Sequence, residues 1–512
     1  MSRIYEPSTL LCDFYKLSHK DQYPSGTEVI YSTFIPRTNK YFPEADEVVV
    51  FGIQGFIKKY LVEHFNVNFF IRPKSDVVDE YVRFVKYTLG IPEPDTSHIE
   101  ELHDLGYLPI KIKALKEGTL APIKTPVLTI ENTQPNLVSS FWLTNYLETI
   151  ISNEIWLPMT SATMAHQYRK LLDEYALKTV GHTEDVGFQG HDFSMRGMSS
   201  LGAAKASGAG HLLSFTGTDT IPAILYHEEY YNADIEKELV GASISATEHS
   251  VMSANTDAAS RDEYEMYKRL ITEVYPSGIF SVVSDTYDFW AVIGDILPRL
   301  KKEIMERDGK VVIRPDSGDP VLILTGNPDG ETKLERQGLI EALWDIFGGT
   351  ISERGYKVLD SHIGAIYGDS ITLQRARAIV EKLEAKGFAS TNVVFGIGSY
   401  TYQYQTRDSL GFAMKATYAE VNGEERMLFK DPKTDDGTKR SLRGRVWVGR
   451  SPNGHIQFTD GLTKDMTFRS PNLLETVFIN GELVRDESLN EIRERLHRER
   501  GLDFSIKMAD LI

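Results

Sequence analysis

Six short apolar runs in the second half of the chain each end in a cluster of small, acidic or basic residues. Leu213-Ser-Phe leads into Thr216-Gly-Thr-Asp-Thr, Ala242-Ser-Ile-Ser into Ala246-Thr-Glu-His-Ser, and Phe280-Ser-Val-Val into Ser284-Asp-Thr-Tyr-Asp. Val311-Val-Ile leads into Arg314-Pro-Asp-Ser-Gly-Asp, Ile363-Gly-Ala-Ile into Tyr367-Gly-Asp-Ser, and Val393-Val-Phe into Gly396-Ile-Gly-Ser. Their starts fall roughly 30 residues apart, with one longer gap, which is the period of a β-α unit. In a parallel barrel the C-terminal strand ends converge on one face and build the active site there. Helix capping explains any one such cluster. Six in succession, holding His249, Arg314 and several Asp, favour a polar cleft.

The stretches between these runs have helical spacing. Tyr264, Tyr267, Leu270, Ile271 and Val274 form one apolar stripe. Ala376, Ile379, Val380 and Leu383 form another, opened by Asp369-Ser370 and closed by Gly387. Gly318 to Lys333 is polar and turn-rich and reads as a loop insertion. Earlier in the chain, Val29 to Ile35, Glu47 to Phe51 and Leu108 to Leu115 read as strands. Phe56 to Phe65 is helical, and a helix is expected from Leu137 to Ser152, after Pro135. Past 400, Phe412 to Ala419 and Arg445 to Gly449 read as strands, with hairpin signals at Asn422-Gly423 and Asn480-Gly481. The expected fold class is α/β: an irregular (β/α) barrel domain over 156–399, with a mixed α+β domain formed by 1–155 and completed by 400–512.

At 512 residues the chain is long enough for two or more domains and a large core. Its net charge of −17 argues against bulk attraction to nucleic acid or an anionic membrane, so a polyanionic substrate needs a local basic pocket. The single cysteine, Cys12, excludes an intrachain disulfide and suggests a reducing compartment. The N-terminus has no apolar signal core and no run approaches a membrane span, so the expected location is cytoplasmic.

Arg314-Pro-Asp-Ser-Gly is the sharpest local motif, an Arg fork at a strand end suited to a carbonyl, carboxylate or phosphate. Asp316 either pairs with that Arg or faces a ligand. His249 is a candidate acid, base or nucleophile, with Asp285 placed to orient its imidazole through a hydrogen bond. Gly364, Gly368, Gly396 and Gly398 at the last two strand ends either cradle a phosphate or only make tight turns. Lys415, Lys430, Lys439, Arg440, Arg443 and Arg445 form a basic stretch, a solvated hairpin or a rim attracting phosphates. No Walker sequence, dinucleotide fingerprint or zinc spacing is present.

These residues resemble those of the nicotinamide phosphoribosyltransferases over nearly the full chain. The matching segments are Asp13-Phe-Tyr-Lys with Gln22-Tyr-Pro, His191-Asp-Phe-Ser-Met-Arg-Gly, Phe215-Thr-Gly-Thr-Asp-Thr and Glu248-His-Ser, then Val283-Ser-Asp-Thr-Tyr-Asp, Ile313-Arg-Pro-Asp-Ser-Gly, Gly368-Asp, Thr406-Arg-Asp and Phe429-Lys-Asp-Pro, in order and at matching spacing. The resemblance implies a homodimer with sites at the subunit interface, joining nicotinamide to phosphoribosyl pyrophosphate. It implies Mg2+ on the pyrophosphate and ATP coupled through a phosphorylated His249 supported by Asp285. Phe193 would stack on the pyridine ring, with Tyr15 from the partner on its other side, and Asp13 would also belong to the nicotinamide site. Arg314 would hold the carboxamide oxygen and Asp219 the amide N–H. Arg196, Arg37, Arg407, Lys415, Lys430 and Lys439 would meet phosphates, while Asp316, Gly368, Asp369, Gly398 and Ser399 would line the ribose-phosphate pocket. Met195 and Ser399 depart from the vertebrate pattern, which has an aromatic residue and Gly there.

Asp219 argues for nicotinamide over nicotinate, because a carboxylate accepts from an amide and repels another carboxylate. The alternatives are a nicotinate phosphoribosyltransferase of the same fold, a metal-dependent barrel hydrolase or aldolase, and a non-catalytic barrel that binds a nucleotide or a protein. The hydrolase or aldolase reading lacks paired His ligands and a strand-end Schiff-base Lys. A pure binder would be expected to lose the charged strand-end set, which is intact here.

Overall fold

The structure is a computed structural model that describes residues 6–134, 140–257, 259–430, 441–466, 468 and 470–499. The described residues form two compact units. One contains residues up to Thr163, Tyr226–Ala233 and the chain from Thr406; the other contains Met164–Leu225 and Asp234–Gln405.

The second unit is built on a seven-stranded parallel sheet in the order Gly217–Thr218, Gly190–Asp192, Val393–Ile397, Ile363–Tyr367, Asp308–Arg314, Ser277–Val283, Ser245–Ala246. Its two edges are linked through an isolated bridge from Gly217 to Ala242, three residues before the last strand, which makes an irregular, partial barrel. Val311, Ile313, Phe280, Val282, Phe395 and Ile397 are fully buried on one face of their strands, and Val312 and Val283 are buried on the alternate face, so the central strands of the parallel sheet are covered on both sides. Four of the six expected strands sit where the apolar runs predict them. The Leu213-Ser-Phe run is instead a turn after helix Leu201–His211, and the strand falls at Gly217–Thr218. The Ala242 run yields only the two-residue strand Ser245–Ala246. A seventh strand, Gly190–Asp192, has no apolar run to announce it.

Helix Leu373–Ala385 buries Ala376, Ile379, Val380 and Leu383, the predicted stripe. Its cap is Thr372, whose hydroxyl accepts from the Arg375 N–H at 3.2 Å, and not Asp369-Ser370. The helical stretch Tyr264–Arg269 and Leu270–Val274 buries Tyr267, Leu270 and Ile271 but leaves Val274 exposed. The segment read as a loop insertion after Gly318 contains helix Pro320–Thr325, started by Asp319, whose carboxylate accepts from the Val321 N–H at 2.8 Å.

The first unit carries a seven-stranded sheet ordered Glu424–Met427, Phe412–Val421, Thr27–Pro36, Leu128–Asn132, Ile110–Ala114, Glu475–Ile479, Glu482–Leu483. Three strands from the N-terminal part lie side by side at the centre, two strands from the C-terminal part flank them on each edge, and all neighbours pair antiparallel. Both hairpin signals hold. Asn422 and Gly423 have φ of 51° and 74°, and Asn480 and Gly481 have 50° and 88°, the pair of positive values that a two-residue hairpin needs. The helix expected to end at Ser152 runs as Trp142–Tyr146 and then Glu148–Thr179; residues 137–139 lie outside the described set.

Candidate active site

All seven strands of the parallel sheet deliver a polar or aromatic residue at their C-terminal ends. Phe193 follows Gly190–Asp192, Asp219 follows Gly217–Thr218, and His249 follows Ser245–Ala246. Asp285 follows Ser277–Val283, Arg314 closes Asp308–Arg314 with Asp316 beyond it, Gly368-Asp369 follow Ile363–Tyr367, and Gly398-Ser399 follow Val393–Ile397. A cavity of about 990 Å³ is lined at this end by Phe193, Asp219 and Arg314 and reaches Gly278, Lys310 and Thr391 near the opposite end of the strands.

Two glycines seat the Phe193 ring. A Cβ on Gly396 would stand 2.4 Å from Phe193 Cδ2 and 2.7 Å from Gly368 Cα, and one on Gly368 would stand 3.1 Å from both Phe193 Cε2 and Asp316 Oδ1. Close packing against the aromatic edge therefore explains Gly368 and Gly396, while the space beside Gly398 is open. The Phe193 ring lies 4.8 Å from that of His191, tilted by 56°.

Asp219 Oδ1 accepts from His191 Nε2 at 2.8 Å and from the Ser243 hydroxyl at 2.5 Å. Burial works against this carboxylate, but the His191 and Ser243 bonds and the Arg314 charge outweigh it and hold its pKa below the ordinary value. Arg314 donates through Nη2 to the Thr247 carbonyl at 2.7 Å, and its buried Nε has no partner.

Asp285 organises the Arg314-Pro-Asp-Ser-Gly loop. Its Oδ2 accepts from the Asp316 N–H at 2.9 Å and the Ser317 hydroxyl at 2.6 Å, and Tyr367 donates to the Ser317 and Gly318 carbonyls at 2.9 and 3.0 Å. His249 Nε2 stands 3.9 Å from Asp285 Oδ1, while Nδ1 bonds the Thr286 hydroxyl at 3.1 Å. The imidazole is thus oriented by Thr286, and the expected His249–Asp285 hydrogen bond is not formed at this distance. Burial, reinforced by Asp285 and Asp369, raises the pKa of Asp316 against the opposing charges of Arg314 and His249. Glu263, which is 2% exposed, is pushed up to about 7 by burial and by the Asp285 charge.

Arg196 lies on the turn Met195–Gly197, and both Met195 and Arg196 are exposed. A Cβ on Gly197 would stand 2.1 Å from the Ser399 hydroxyl, so Ser399 fills space above that turn. The remaining predicted residues belong to the first unit. Tyr15 is exposed, and Asp13 accepts from the Thr149 hydroxyl at 2.8 Å. Arg37 Nε donates to the Gly411 carbonyl at 3.0 Å, Arg407 pairs with Asp408 at 3.9 Å, and Lys415 with Glu148 at 3.2 Å. Lys430 is exposed; Lys439 and Arg440 lie outside the described residues. Arg445 is no part of a phosphate rim, because it pairs with Glu131 at 2.7 Å beneath the rings of Tyr31 and Tyr418. Sequence reasoning gave no role to His191, Ser243 or Glu263. The signal for His191 was its place two residues before Phe193.

Residues 188–482 match the nicotinate phosphoribosyltransferase (NAPRTase) family, and residues 8–112 match the nicotinamide phosphoribosyltransferase N-terminal domain. The nicotinamide phosphoribosyltransferase of Acinetobacter baylyi is 51% identical over 95% of this chain and 96% of its own. The chain belongs to the nicotinamide phosphoribosyltransferase family. The Mycoplasma pneumoniae enzyme of that name is 37% identical over 85% of this chain and 94% of its own. Human nicotinic acid phosphoribosyltransferase shares the fold, with a TM-score of 0.54 at 16% identity over 96% of this chain and 94% of that one. A Pyrococcus furiosus nicotinate-nucleotide pyrophosphorylase does so with a TM-score of 0.57, also at 16% identity, over 99% and 100%. Among the described residues no helix is long and apolar enough to cross a membrane, and no cluster of three or more His, Cys, Asp or Glu could hold a metal ion.

Proposed function

We propose that this chain transfers the phosphoribosyl group of phosphoribosyl pyrophosphate to nicotinamide, releasing pyrophosphate and giving nicotinamide mononucleotide, a step of NAD salvage. The observation that carries this reading is the convergence of Phe193, Asp219 and Arg314 on one end of a single cavity. An aromatic face, a carboxylate acceptor and a guanidinium donor are the complement of a carboxamide-bearing pyridine. Nicotinate would bring its carboxylate against Asp219. At about 4 Å and an effective dielectric near 20, that repulsion is on the order of 4 kcal/mol before solvent screening.

The pyridine nitrogen attacks the ribose carbon as pyrophosphate departs, so the transition state resembles an oxocarbenium ion. Positioning and charge neutralisation therefore matter more than a protein nucleophile. Asp316, Gly368, Asp369, Gly398 and Ser399, at the ends of neighbouring strands, would line the ribose-phosphate side, with Arg196 at the phosphates. With no carboxylate cage among the described residues, Mg2+ fits as an ion carried on the pyrophosphate and held by one or two of these carboxylates. There it would neutralise the leaving group. In a homodimer the exposed Tyr15, with Asp13, would cover the second face of the pyridine. Arg37, Arg407, Lys415, Lys430 and Lys439 would add phosphate contacts. ATP would pass its γ-phosphoryl to Nε2 of His249, the nitrogen left open by Thr286, releasing ADP.

Pyrophosphate release tests the reading, with phosphoribosyl pyrophosphate and magnesium present and nicotinamide, nicotinate or neither added. Release that depends on nicotinamide is expected. Release with nicotinate alone would favour the alternative substrate, and silence with both would favour a binding protein.

A further inference from the structure

Asp219 has two donors, and both are on the same oxygen. Oδ1 takes the His191 Nε2 contact at 2.8 Å and the Ser243 hydroxyl at 2.5 Å. A carboxylate can only accept, so the His191 proton that faces it sits on Nε2 and the neutral ring keeps its lone pair on Nδ1. The ring has little freedom to turn away. It is 8% exposed, packs 4.8 Å from Phe193, and its Nδ1 would lie 2.7 Å from any Cβ on Gly217, a position that is glycine. The Asp219 side chain, by contrast, is 47% exposed and lines the cavity. With Oδ1 engaged on both sides, Oδ2 is the oxygen left for a ligand.

We infer that His191 and Ser243 are positioning residues for substrate selection: together they hold Asp219 Oδ1, so that Oδ2 meets the amide of the pyridine substrate. The inference rests on the proposed nicotinamide reaction and adds the residues that hold its selector.

The test is the ratio of kcat/KM for nicotinamide to that for nicotinate, measured at one neutral pH on the full chain and on His191→Gln, His191→Ala and Ser243→Ala. His191→Ala and Ser243→Ala should each lower the ratio by roughly threefold to tenfold, whereas His191→Gln, whose amide can still donate to Asp219, should largely keep it. A ratio unchanged in His191→Ala and Ser243→Ala overturns the inference, as does an equal loss in His191→Gln and His191→Ala. Absence of turnover with nicotinamide in the unaltered protein would instead remove the proposed reaction itself, so the two failures are distinct.

Discussion

His249 Nε2 faces Asp285 Oδ1 across 3.9 Å, and that oxygen is buried with no hydrogen-bond partner, whereas the other oxygen of the same carboxylate anchors the Asp316 loop. The two halves of Asp285 therefore serve different parts of the site, and substitutions at the two residues should separate them. His249→Ala is expected to abolish ATP hydrolysis and ATP stimulation while sparing basal pyrophosphate release. Asp285→Ala should lower basal release as well, by about tenfold or more, because it removes two hydrogen bonds to the Asp316–Ser317 loop. Steady-state assays with and without ATP read both effects.

Gly396 tests the seat of the Phe193 ring. Gly396→Ala must displace either the ring or the Gly368 backbone, a shift that costs roughly 1–3 kcal/mol. Its kcat/KM for the pyridine substrate is expected to fall by about tenfold, with the preference between nicotinamide and nicotinate little changed. An active, unaffected variant would mean that Phe193 does not meet the pyridine.

Glu117 gives the first unit a pH-dependent stability. Its carboxylate accepts from the Gln54 N–H at 2.6 Å and the Gly52 N–H at 3.2 Å, yet full burial, reinforced by Glu487, raises its pKa to about 7. A carboxyl raised on folding binds its proton more tightly in the native state. Its contribution is complete below the unfolded value near 4.5 and is lost as pH rises to about 7. Thermal unfolding should show the stability of the unaltered protein relative to Glu117→Gln declining over that interval and levelling above it.

Arg445 is structural. It bridges Glu131 and the Tyr31 and Tyr418 rings, and Glu131 retains Lys111 at 2.6 Å if the arginine is removed. Arg445→Met is expected to cost about 2–4 kcal/mol, because one of the two cations that neutralise Glu131 is lost from the interior. Denaturant unfolding measures this, and turnover under folding conditions should be unchanged.

The sequence exposed the long central strands because both of their faces are buried, which writes an unbroken apolar run at Val311 or Val393. It hid Gly190–Asp192, whose three residues include His191 and Asp192. That strand is held by pairing to its neighbours and by the site, not by an apolar signal. The same cause displaced the strand expected at Leu213 to Gly217–Thr218. Charged residues at strand ends were legible one by one. Their bonding was not: His191 and Ser243 meet Asp219 across separations of 28 and 24 residues that only the closure of the sheet brings together. The hairpins at Asn422 and Asn480 were legible because positive φ at two successive residues leaves few residue choices.

Selection of the amide by Asp219 is open to a direct competition assay. Equal concentrations of nicotinamide and nicotinate, with phosphoribosyl pyrophosphate, magnesium and ATP, should give nicotinamide mononucleotide almost alone from the unaltered protein. Asp219→Asn, which removes the charge and keeps the shape, should raise the share of nicotinate mononucleotide by about tenfold or more. Nicotinate product dominating in the unaltered protein, or a product ratio indifferent to Asp219→Asn, would contradict the account.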